Sequence, residues 1–178
     1  MINWREAVLN KVFLIVKMLR LDTLFRLRVS VSTDAFTDYF IGFDNAQAIQ
    51  RIFQDECEKV LQNLRVEFSP FVGYMGVNGS NGNLIVNPTY LKYGDKLDVY
   101  LDIIHELVHI QQYSAGRELF DSNYSYAQRP TEVEAYRHTV DEARRLNLSD
   151  KRICEYLKTP WMSISDLKQL ASALDVNC

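Results

Sequence analysis

The chain has 178 residues, of which 47% are hydrophobic and 24% charged, with a formal net charge of -3. That length suits one domain over residues 1–178 with a real core, and the composition excludes a disordered or fibrous chain. The slight acidic balance leaves no basic footprint, so nucleic acid is not an expected partner.

Trp4, Val8, Val12, Ile15, Val16 and Leu19 recur at helical spacing and predict an amphipathic helix over 4–20. The run from Phe25 to Val31 alternates apolar and polar residues as a half-buried strand does, while 34–42 gives no clear period. From Asp44, a plausible N-cap, a long helix is expected to about residue 64, with Ile49, Phe53, Cys57, Val60 and Leu64 on one face as the backing layer of a small sheet. Phe71–Val77 and Asn83–Asn87 then read as two strands joined by the Asn78-Gly-Ser-Asn-Gly turn. Pro88 is expected to end the second strand, in an edge position whose free backbone groups can pair with an extended peptide.

The run from Leu97 to Gln112 predicts a mostly buried helix. Leu97, Leu101, Ile104 and Val108 form one apolar stripe and Ile103, Leu107 and Ile110 a second, leaving Asp98, Asp102, His105, His109 and Gln112 along one polar stripe. Within it stands His105-Glu-Leu-Val-His109. Helical winding puts the two imidazoles one turn apart on one face, within reach of a single metal ion, with Glu106 beside them to take a proton from a metal-bound water. Gly116 is expected to stop this helix, residues 117–129 read as a loop, and Pro130-Thr131-Glu132 opens another helix with Thr131 or a neighbour as cap. Two short helices are expected near 149–157 and 165–174.

Cys57, Cys154 and Cys178 are few, odd in number and without a C-x-x-C spacing, which predicts free thiols in a reducing compartment. The N-terminal stretch lacks a signal-peptide pattern, so a cytoplasmic location is expected, with secretion by a signal-independent route left open. No run reaches the ~18 apolar residues of a membrane span. The triplets at Asn78, Asn123 and Asn147 that match a glycosylation acceptor are read as chance.

A catalytic zinc takes three protein ligands and keeps one position open, so a third ligand is needed. His138, Glu132 and Glu134 all fall in the helix after Pro130. Winding that helix buries Val133, Tyr136, Val140 and Ala143, places Glu132 at the margin of this stripe, and puts Glu134 and His138 on the charged side with Arg137, Asp141 and Arg145. Glu132 is therefore preferred, and Glu134 is the substitute if the helix begins later or is rotated.

His105-Glu-Leu-Val-His109 followed by Glu132-Val-Glu-Ala-Tyr136 resembles the gluzincin branch of zinc metallopeptidases. The resemblance implies zinc ligands at His105, His109 and Glu132 and a general base at Glu106. It also implies a small zincin-like α+β domain: a twisted, mostly antiparallel sheet with an edge strand facing the cleft, a backing helix, an active-site helix and a glutamate-bearing helix. The pattern departs at Tyr136, where many members carry an aspartate that supports the first histidine.

The expected function is zinc-dependent hydrolysis of peptide bonds in a peptide or protein substrate, with Tyr124, Tyr126, Tyr136 and His138 as possible donors to the developing oxyanion. The alternatives are a zinc-binding or protein-interaction domain without turnover, and a latent or effector peptidase specific for one protein.

Overall fold

Short strands and helices alternate through the first half of the described chain, and helices alone build the second. The computed structural model describes residues 33–178, which fall within one unit; the helix expected at 4–20 and the strand at 25–31 lie outside them. β1 (Thr33–Ala35) runs into α1 (Phe36–Tyr39), followed by a 3-10 turn (Phe43–Asn45) and α2 (Gln47–Phe53). A second 3-10 turn (Gln54–Glu56) separates α2 from α3 (Cys57–Asn63).

The single helix expected over 44–64 is therefore broken. Gln54 takes a left-handed φ of 50°, and the exposed Gln54-Asp55-Glu56 triplet offers no apolar anchor to carry the helix through. The buried face largely survives the break, since Ile49, Phe53, Cys57 and Leu64 enter the core, joined by Leu61, while Val60 is only partly buried against it. Asp44 does not cap the helix either; it lies in the first 3-10 turn, and Ala46 holds the N-cap position without a side-chain bond.

A strand that the sequence left unassigned, β2 (Arg65–Phe68), joins β3 (Met75–Val77) and β4 (Leu84–Val86) in a sheet of order β1-β2-β4-β3. The outer pairs β1/β2 and β3/β4 are antiparallel and the central β2/β4 pair is parallel, so the sheet is mixed. The hairpin expected at Asn78–Gly82 is present between β3 and β4. Gly82 sits at φ +73°, and a Cβ there would lie 2.5 Å from Cε1 of Tyr113, so both conformation and close approach require glycine. Glu67 on β2 ties this turn down, accepting from the side-chain amides of Asn78, Asn81 and Asn83 at 3.2, 2.9 and 2.7 Å.

The edge assignment needs correction. Among the described residues β4 is interior, and β1 and β3 are the edge strands. Pro88 is the first residue of α4 (Pro88–Tyr93), where a missing N–H costs nothing, and Asn87 caps that helix by accepting from the Thr89 and Tyr90 N–H groups.

α5 (Lys96–Ser114) begins at Asp95, whose carboxylate accepts from the N–H groups of Leu97 and Asp98. It lies between two cores. Val99, Ile103, Ile104, Leu107 and Ile110 join the residues of α1, α2, α3 and the sheet, while Leu101 joins a helical core with Tyr136, Val140, Ile153, Leu157 and Leu170. Each fully buried aliphatic side chain contributes about 1.5–3 kcal/mol, so this helix is fixed from two sides. It ends as expected at Gly116, φ +72°: the Gly116 N–H donates to Tyr113 O and the Arg117 N–H to Gln112 O, the paired bonds of a Schellman stop.

α6 (Pro130–Arg145) starts with Pro130 in its first turn, and Thr131 is not its cap; the Thr131 hydroxyl is buried and donates to Leu119 O at 3.3 Å. α7 (Asp150–Leu157) and α8 (Ile164–Ala173) are capped by Ser149 and Ser163. Among the described residues no helix is long and apolar enough to cross a membrane.

The cysteines also correct the sequence reading. Cys154 of α7 is bridged to Cys178 with their Cα atoms 5.4 Å apart, and only Cys57 is free, buried in the core. The expectation of three free thiols therefore holds for Cys57 alone. Closing a loop across 24 residues of separation stabilises a chain by about 3 kcal/mol. The double variant Cys154→Ser/Cys178→Ser is accordingly expected to unfold at lower urea with that loss. An unchanged midpoint, or three titratable thiols in the native protein, would contradict it.

Candidate metal centre

One face of α5 and the first turn of α6 meet beneath the edge strand β3. His105 and His109 stand one turn apart on α5, and Glu132 enters from α6; all three are buried. Nε2 of His105 lies 3.0 Å from Nε2 of His109 and 3.2 Å from Oε2 of Glu132, which is also 3.5 Å from Nε2 of His109. One ligand atom from each residue falls within 4.8 Å of the others, and the group can hold a metal ion. The donor set supports this: two imidazole nitrogens and a carboxylate oxygen converge with two Nε2 atoms face to face, an arrangement that a cation between them relieves.

The electrostatics follow from the same crowding. Burial alone would raise the Glu132 carboxyl, but hydrogen bonds to His105 and His109 outweigh it and hold that carboxyl well below the usual range. Burial likewise pulls His109 down, while the bond to Glu132 and the charges of Glu106 and Glu132 push it up to about 9. Glu106 is buried in the wall of the same cleft, and its carboxylate hydrogen-bonds to no other described residue. Burial raises its pKa, opposed by the two imidazoles and reinforced by Glu132 and Asp102.

The histidines are oriented differently. Nδ1 of His109 donates to Oε1 of Gln112 at 2.7 Å. Nδ1 of His105 is buried without a partner among the described residues. Tyr136 sets its ring edge-on to His105 at 4.4 Å. Besides the bond from its Nε2 to Glu132, the first histidine is therefore held by packing among the described residues, and the second by a further hydrogen bond at Nδ1.

The cleft has a volume of about 190 Å³. Met75, Gly76 and Val77 of β3 line it, and Tyr74, Trp161 and Tyr126 add an aromatic group to the lining, with ring centroids 5.6 Å apart for Tyr74–Trp161 and 6.2 Å for Tyr126–Trp161. Of the four oxyanion donors considered from sequence, Tyr126 and Tyr136 line the cleft with their hydroxyls 2.9 Å apart, whereas Tyr124 is exposed and neither it nor His138 reaches the lining. Glu134, the substitute ligand, turns away from the cluster to Arg117 and Gln112.

Sequence reading missed Tyr74 and Trp161 as cleft residues: the strand expected over 71–77 begins only at Met75, which leaves Tyr74 in the bend before it, and Trp161 lies in the turn between α7 and α8, where no period marks a facing direction. Asp102 was noted only as part of the polar stripe; it lines the cleft and accepts from Tyr90 and Tyr156 hydroxyls at 2.6 and 2.8 Å. Comparison with protein-family models, curated proteins and solved structures gives no match to the chain.

Proposed function

We propose that the chain is a zinc-dependent peptidase that hydrolyses peptide bonds. The observation that carries this reading is the joint presence, in one cleft beside an edge strand, of the buried His105, His109 and Glu132 group and the carboxylate of Glu106, which hydrogen-bonds to no other described residue. Two imidazoles and a carboxylate suit zinc, and three protein ligands with an open cleft fit a catalytic site better than the closed four-ligand shell of a structural one.

His105, His109 and Glu132 would hold the ion through Nε2, Nε2 and a carboxylate oxygen. When bound, zinc supplies a Lewis acid that polarises a carbonyl and acidifies water. The chain's own residues do the rest. The outer edge of β3, which pairs with no other described strand, offers backbone groups to an extended peptide and lays it along the cleft. A carboxylate oxygen of Glu106 takes a proton from the attacking water as its oxygen bonds to the carbonyl carbon, then returns it to the nitrogen as the C–N bond breaks. Tyr126 and Tyr136 line the cleft with their hydroxyls bonded to each other, so one of the two keeps a proton to donate to the oxygen that gains charge.

The test is incubation of the zinc-loaded protein with an unbiased peptide mixture. New peptide termini that vanish with a chelator and return with zinc are the expected result. An uncleaved mixture in the presence of stoichiometric bound zinc overturns the peptidase reading in favour of a zinc-binding domain without turnover.

A further inference from the structure

Gln112 lies one turn beyond His109 on the same face of α5 and is fully buried, at 0% exposure. Its side chain is completely committed. Oε1 accepts from Nδ1 of His109 at 2.7 Å, and Nε2 donates both to the backbone carbonyl of Thr131 at 3.0 Å and to Oε2 of Glu134 at 2.9 Å. A primary amide has two N–H donors, and both are used here on acceptors. Turning the amide over would set its oxygen against the Thr131 carbonyl and the Glu134 carboxylate, so its orientation is fixed. The atom facing His109 is therefore an acceptor, and the His109 nitrogen facing it must carry hydrogen. That leaves Nε2 as the ligand atom, turned towards His105 and Glu132.

The same side chain joins the two ligand-bearing helices. Thr131 precedes Glu132 in the first turn of α6, so the bond to its carbonyl ties the Glu132 backbone to the helix that carries both histidines. Beyond Gln112, Glu134 is ion-paired to Arg117. Arg117 is brought back to this place by the left-handed turn at Gly116, which also sends its N–H to the Gln112 carbonyl. A continuous line Arg117–Glu134–Gln112–His109 thus runs from the surface to the cluster. His105 has no equivalent line, because its Nδ1 lacks a partner among the described residues.

We propose that Gln112 is the positioning residue of the metal centre: it fixes His109 as the Nδ1–H tautomer and sets Glu132 against the histidines through the Thr131 carbonyl. The inference rests on the metal-binding reading of His105, His109 and Glu132 and is independent of whether the site hydrolyses peptides.

Two measurements test it. In the zinc-loaded wild type labelled with ¹⁵N-histidine, His109 should show a protonated Nδ1, slow to exchange, and a metal-bound Nε2; the opposite assignment overturns the proposal. In Gln112→Leu, which keeps the volume and removes the amide, zinc affinity measured by chelator competition should fall about 10- to 100-fold, the range for lost outer-shell partners. The His109 Nδ1–H resonance should also be lost. A folded Gln112→Leu that binds zinc as the wild type does and keeps that resonance overturns the proposal and leaves Gln112 a packing residue. If the variant does not fold, the wild-type tautomer decides.

Discussion

Glu106→Gln is expected to lower peptide hydrolysis by about 10²- to 10⁴-fold while leaving the protein zinc-loaded. Glutamine fills the same space in the cleft wall as glutamate but cannot accept and return a proton. General acid–base catalysis by a positioned side chain contributes about 10²- to 10⁴-fold, so kcat/KM should fall by that factor. Glu106 stands beside the ligand cluster without belonging to it, so the zinc dissociation constant should change by less than about tenfold. The pairing of the two readouts matters. Loss of activity together with loss of zinc would make Glu106 a ligand or a folding residue, and retained activity would remove it from the chemistry altogether.

Zinc should raise the melting temperature of the wild type strongly, and single ligand substitutions should remove most of the gain. A ligand that binds only the native state at 1,000 times its dissociation constant adds about 4 kcal/mol. For a chain of this size each kcal/mol moves the midpoint by about 2–4 °C, so a shift of about 8–16 °C is expected. If His105→Ala, His109→Ala or Glu132→Ala weakens binding about 100-fold, the same zinc concentration adds only about 1.4 kcal/mol, or about 3–6 °C. His138→Ala should keep the full shift, because His138 does not join the cluster. Equal shifts in all four variants would mean that the ion binds elsewhere.

The parts of this chain that could be read in advance are those where chemistry and period agree over several turns. α5 announced itself through two apolar stripes, and the polar stripe between them held His105, His109 and Gln112, all of which meet at the site. Glu132 was preferred over Glu134 because helical rotation put it at the buried margin, and the structure brings Glu132 to the histidines and turns Glu134 to Arg117.

What could not be read rests on short segments or distant pairings. β2 is four residues long, too few for alternation to stand out. The break at Gln54 depends on one left-handed residue inside an otherwise helical pattern. Pro88 fits a strand end and a helix start equally well, and only the neighbouring Asn87 cap distinguishes them. An odd cysteine count concealed the Cys154–Cys178 pair, which forms because α7 and the C-terminal residues are brought together in space. The Gln112 line required knowing that Thr131 and Glu134 of α6 lie within hydrogen-bonding distance of α5.

The central claim is that His105, His109 and Glu132 form a zinc centre, and anomalous diffraction at the zinc edge from a zinc-soaked crystal tests it most directly. The account predicts one strong peak bonded to Nε2 of His105, Nε2 of His109 and a carboxylate oxygen of Glu132, with no bond to Glu106 or Glu134. A peak located elsewhere, or one coordinated by Glu134 in place of Glu132, would contradict it.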